Sequence, residues 1–135
     1  MIYMKRSQII SDNFSSIIPV MVEHYRSVLE SGGRLQYRIY IWSDGEIDSI
    51  EQVLGDTFYL VPNDMETREL FHICTIAIPE FDPWDYTDHA APDDESARDS
   101  ERTEIIDYLV GEYEREGARD ALDAIINDAE MLERI

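Results

Sequence analysis

Lysine is almost missing from this 135-residue chain: Lys5 stands alone, and the other ten bases are arginines set against 30 acids, for a net charge of −19. So anionic a molecule repels nucleic acid and anionic lipid, which excludes both as direct partners and favours a basic protein. Cysteine is equally scarce. Cys74 is the only one, so no intramolecular disulfide can form. Its apolar neighbours Ile73 and Ile76 predict a buried thiol, in keeping with a reducing cytoplasm. Long hydrophobic runs are absent too, and no window approaches the roughly 18 apolar residues of a membrane span. After Lys5 and Arg6, the residues Ser11, Asp12 and Asn13 interrupt what a signal peptide would need as a continuous apolar stretch. Glycine-rich loops are missing, since Gly32-Gly33 stands alone, and there is no G-x-S-x-G turn, so neither phosphate cradling nor serine hydrolysis is indicated.

What is present describes a folded domain. An apolar content of 44% with 10% aromatics is enough for one core, and the length fits a single domain, residues 1–135. Phe14, Ile17, Ile18, Met21, Val22, Tyr25, Val28 and Leu29 recur at helical spacing, and Gly32-Gly33 end the pattern. Pro19 lacks the N–H of a helix interior, so the regular helix is expected to start near Ser15 or Ser16, with a less regular lead-in from Ser7. Leu35 to Trp42 alternates as a strand. Residues 46–54 carry helical spacing at Ile47, Ile50, Val53 and Leu54 and are expected as a short helix, although Asp44-Gly45 is also a hairpin signal. Residues 57–61 read as a strand and 62–64 as the turn that ends it. Residues 70–78 read as a further strand, apolar on both faces and therefore central in its sheet.

The charge is lopsided. Residues 79–135 hold 19 of the acids against five arginines, a net of −14. Within them, residues 80–99 have no periodicity and form an exposed acidic-aromatic loop, long enough to be either functional or disordered. Phe81, Trp84 and Tyr86 argue for partial order. Ser100 is the expected N-cap of the next helix, whose stripe is Ile105, Ile106, Leu109, Val110 and Tyr113. Beyond Gly117 the stripe of Ala118, Ala121, Leu122, Ile125, Ile126, Ala129 and Leu132 is rotated by more than a quarter turn, which predicts a break there into two helices. The expected fold is α+β: a small, mainly antiparallel sheet of three to four strands packed by an N-terminal helix and two C-terminal helices.

Catalytic readings are weak. Asp82, Asp85, Asp88 and His89 could offer oxygen ligands to a hard metal, but the spacing fits no Ca²⁺ loop, and a solvated loop is the commoner outcome. Cys74 in an apolar strand is a core cysteine rather than a nucleophile. Gly111 in mid-helix leaves room for a close approach, or marks a local break. No catalytic residue, metal or cofactor is therefore assigned. The residues expected to bind a partner are Asp82, Trp84, Asp85, Tyr86, Asp88, Asp93, Asp94 and Glu95, supported by Glu101, Glu104 and Asp107. Carboxylates one helical turn apart lie about 5–6 Å from each other, near the roughly 7 Å between phosphates along a DNA strand. Aromatic side chains among them suit stacking on arginine.

Size, acidity and the missing catalytic constellation resemble the small anti-defence proteins of phages and mobile elements, of the anti-CRISPR and DNA-mimic kind. The resemblance is compositional and covers mainly residues 80–135. It implies a non-enzymatic inhibitor that binds a basic nucleic-acid-binding effector or nuclease in the cytoplasm of a bacterial or archaeal cell; whether a homodimer forms through the C-terminal helices is left open by the sequence. An immunity protein or antitoxin against a basic nuclease toxin fits the same residues, as its genomic neighbourhood would show. Tight Mg²⁺, Mn²⁺ or Zn²⁺ binding lost on Asp85→Ala would instead point to a small metal-dependent enzyme, and a need for molar salt to a halophile's domain.

Overall fold

The computed structural model describes residues 5–53 and 68–134. In chain order these form α1 (Arg6–Asp12), α2 (Phe14–Glu30), β1 (Leu35–Trp42), β2 (Ile47–Val53), β3 (Leu70–Ala77), a 3₁₀ turn (Pro83–Tyr86), α3 (Glu95–Glu112), a π-helical turn (Tyr113–Gly117) and α4 (Ala118–Glu133). The fold is α+β, a three-stranded antiparallel sheet with N-terminal and C-terminal helices packed on it. The strand expected over 57–61 and its turn lie outside the described residues. No described helix is long and apolar enough to cross a membrane.

The apolar stripe of α2 becomes the centre of the core. Ile17, Ile18, Met21, Val28 and Leu29 are buried, and Phe14, Val22 and Tyr25 pack beside them. The helix begins at Phe14 and runs through Pro19, earlier than its sequence predicts. The missing donor leaves only the Ser15 carbonyl without its helical partner, and both residues are exposed, where water can serve instead. At the other end, Gly32 N–H bonds to Leu29 O at 3.0 Å and Gly33 N–H to Val28 O at 3.2 Å, closing the helix. Gly33, at φ +87, cannot carry a side chain, because a Cβ would lie 2.3 Å from the Ile78 carbonyl.

Two expectations about the sheet are corrected. Residues 47–53 form a strand, not a helix: Gly45 at φ +96 and the Asp44 side chain, which accepts from Glu46 N–H at 3.0 Å, turn the chain back as a hairpin. β1 rather than β3 is central, the order among the described strands being β2-β1-β3. β3 looked apolar on both faces because of a register shift opposite Ile39 and Tyr40, which leaves Ile73 as an extra, buried residue between His72 and Cys74. Cys74 itself is half-buried against the core, and burial pushes its thiol up to about 11, so it is inert at neutral pH.

The C-terminal third holds the largest correction. No break separates the two helices; the backbone stays helical from Glu112 through Gly117 to Ala118, and Ala118 N–H bonds to Tyr113 O, five residues back. The inward residues run Ile106, Val110, Tyr113, then Ala118, Leu122, Ile126 and Ala129. The five-residue step from Tyr113 to Ala118 is the wide turn. Tyr113 stacks on Tyr25, ring centroids 3.9 Å apart and 8° from parallel, and Gly117 makes room for it. A Cβ there would stand 2.9 Å from Tyr113 Cδ1, whereas one on Gly111 would meet only the movable Arg115 guanidinium, at 3.3 Å. Gly117→Ala is therefore expected to cost about 1–3 kcal/mol, and Gly111→Ala to gain up to about 1 kcal/mol from helix propensity, both read by denaturant titration.

Two histidines are made harder to protonate by their surroundings. His24 stacks on Tyr37 at 4.1 Å and shares a 2.8 Å hydrogen bond with Ser49 Oγ. Burial lowers its pKa, outweighing Glu23 and Glu51. Burial also lowers that of His72, helped by Arg38 and Arg6. With folded values below the ordinary one of about 6.5, the unfolded chain binds the proton first, so stability is expected to fall as pH drops below about 6.5. His24→Gln is expected to flatten that slope in unfolding curves recorded as the pH falls below about 6.5. A wild-type slope of opposite sign would contradict it.

Candidate functional site

The acidic surface is built on two caps. The Asp82 side chain accepts from Trp84 N–H at 3.0 Å and starts the 3₁₀ turn, and Asp94 accepts from Ala97 N–H at 3.1 Å and starts α3. The cap of α3 thus lies six residues before Ser100, and residues 95–99 belong to the helix rather than to the loop. Phe81 is buried in a second apolar cluster with Leu29, Ile106 and Val110, and it anchors the turn. Tyr86 lies over Phe81, centroids 5.8 Å apart, yet is 59% exposed.

Asp82, Asp85, Tyr86, Asp88, Asp93, Asp94, Glu95, Glu104 and Asp107 are exposed, and Trp84 and Glu101 are half-buried. Besides the caps Asp82 and Asp94, two of these carboxylates work inside the molecule. Asp107 pairs with Arg26 of α2 at 2.8 Å. Glu101 Oε2 lies 3.6 Å from His89 Nε2, shielded from water and without a hydrogen-bond donor. The remainder sit on the loop, its turn and α3, and the positive end of the helix favours Asp93 and Glu95 among them. Asp82, Asp85, Asp88 and His89 do not converge: no group of three or more His, Cys, Asp or Glu that could hold a metal ion occurs among the described residues.

No family model, curated protein or solved structure matches this chain. The site therefore stands on its geometry. That geometry adds residues which a break at Gly117 hid. Because α3 and α4 are one continuous rod from Glu95 to Glu133, about 58 Å long at 1.5 Å per residue, the exposed Glu112, Glu114, Glu116, Asp120, Asp123, Asp128 and Glu130 extend the acidic surface along it. The five-residue step in the apolar pattern was the sequence signal that could have shown this.

Cations do little to neutralise this surface. Arg102 is spent on the carboxyl end of α2, donating to Glu30 O at 2.7 Å, and Arg26 on Asp107. Mutual repulsion among the exposed acids should dominate the salt response. Raising NaCl from about 0.01 to about 1 M shortens the screening length from about 30 to about 3 Å, and the thermal midpoint is expected to rise by several degrees. A flat or falling midpoint would mean that the internal ion pairs outweigh the repulsion.

Proposed function

We propose that this protein is a non-enzymatic inhibitor that covers the basic surface of a nucleic-acid-binding protein. The carrying observation is the rod with its capped loop: a backbone fixed at Asp82 and Asp94 and packed through Phe81, Ile106 and Val110 holds exposed carboxylates at set positions around the rod. Side chains on one helix keep their spacing, so a partner built to grip phosphates meets anionic groups already fixed in place, at little ordering cost. Tyr86 supplies an exposed ring for an arginine of that partner. Long-range attraction between a net charge of −19 and a cationic groove would speed the encounter.

The carboxylates expected to matter most are those without internal duty: Asp85, Asp88, Asp93, Glu95 and Glu104. The test is capture of proteins from a bacterial lysate on the immobilised full chain, with duplex DNA as competitor and with rising salt. The retained protein should be basic, bind nucleic acid, and be released by the duplex and by salt. Asp93→Asn/Glu95→Gln/Glu104→Gln spares both caps and is expected to weaken capture by roughly tenfold or more, about 1.4 kcal/mol. Retention indifferent to that variant and to DNA would reject the reading.

A further inference from the structure

Two helices depart from regular α geometry, and the departures meet. Pro19 leaves the Ser15 carbonyl of α2 without its helical donor. Opposite, the π-helical turn widens the rod at Glu114, and such turns recur at functional sites. Between them lies a cleft of about 370 Å³, the size of a small-molecule site. Ile18 and Val22 form its apolar part, while Ser15, Glu23, Glu114 and Arg119 bring the polar groups.

The charges in this cleft are unsatisfied by one another. Glu23, Glu114 and Arg119 take part in none of the ion pairs among the described residues, although both signs line one small space. Opposite charges that share a cleft and stay more than 4 Å apart leave a gap that a dipolar molecule can bridge. We infer that the cleft binds a free α-amino acid with an apolar side chain. Arg119 takes its carboxylate, for which the planar guanidinium is suited. Glu23, Glu114 and the released Ser15 carbonyl take its ammonium group. Ile18 and Val22 take its side chain. A polypeptide terminus or an organic cation offers one of these charges; the free amino acid offers both on one carbon. This site does not depend on a basic partner, so the two readings fail separately.

The experiment is an amide-resolved NMR titration of the full chain with leucine, with leucinamide, which lacks the carboxylate, and with N-acetylleucine, which lacks the ammonium. Leucine is expected to give saturable shifts at Ser15, Val22, Glu114 and Arg119, and both analogues to bind roughly tenfold more weakly or worse. Arg119→Gln should erase the preference for leucine over leucinamide, and Glu23→Gln/Glu114→Gln the preference over N-acetylleucine. All three side chains are exposed, so an otherwise unchanged spectrum certifies the fold of each variant. Absence of saturable shifts with leucine, equal responses to the three compounds, or a preference that survives Arg119→Gln would overturn the assignment.

Discussion

One wide turn of helix governs this molecule. Without the extra residue between Tyr113 and Ala118, the stripe that begins at Ile106 and Val110 would rotate out of the core before reaching Leu122 and Ile126. With it, the rod keeps one side against the core from Ile106 to Ala129. The stack of Tyr113 on Tyr25 and the bare backbone at Gly117 hold the turn in place. Burial raises the Tyr113 phenol far above its ordinary range, so the stack stays uncharged at any working pH. The acidic face is thus a consequence of how the core is kept in register.

The scarcity of cations has a matching logic. Arg26 ties Asp107 of the rod to α2, Arg102 satisfies carbonyls at the negative end of α2, and Arg6 donates to His72 O in the sheet. Glu133 reaches back to Ser7 and closes the far end of the rod on α1, its carboxyl held below the ordinary carboxylate range by the two Ser7 donors. Several of the arginines are therefore internal fasteners. They do not soften the outer potential, which remains that of the acids.

Local periodicity was legible from the residues alone wherever one face met the core. The α2 stripe and the alternation of β1 are cases in which each side chain's environment repeats with the backbone. Legibility failed where an irregularity shifted the period. The extra Ile73 made an outer strand look central, and the π-helical turn made one rod look like two helices. It also failed where an element extends beyond the core: residues 95–99 have no buried partner, hence no apolar rhythm, and only Asp94 reveals the start. Ile50 obscured β2 because its alternation carries mixed residue types, and the decisive information lay in the Asp44-Gly45 turn. For the candidate site, the loop acids could be read from composition, whereas the diversion of Glu101 and Asp107 into internal contacts depends on tertiary approach.

Whether the acidic face is more than a solvated surface turns on how much negative charge the fold itself can use. A helix amino end presents about half a positive charge, and the Asp94 cap alone is matched to it. Asp93 and Glu95 add to the same end, Asp99 follows one turn on, and Asp85 and Asp88 stand on the loop whose 3₁₀ turn packs further along α3. No described arginine pairs with any of these five, so the surplus repels itself and is offset by apolar burial elsewhere. A chain with buried Ile, Leu and Val to spare can sustain that cost, but nothing in the folding of the rod calls for it. The contacts that would relieve it are cations brought by another molecule, and the rod holds the carboxylates ready in fixed positions to receive them.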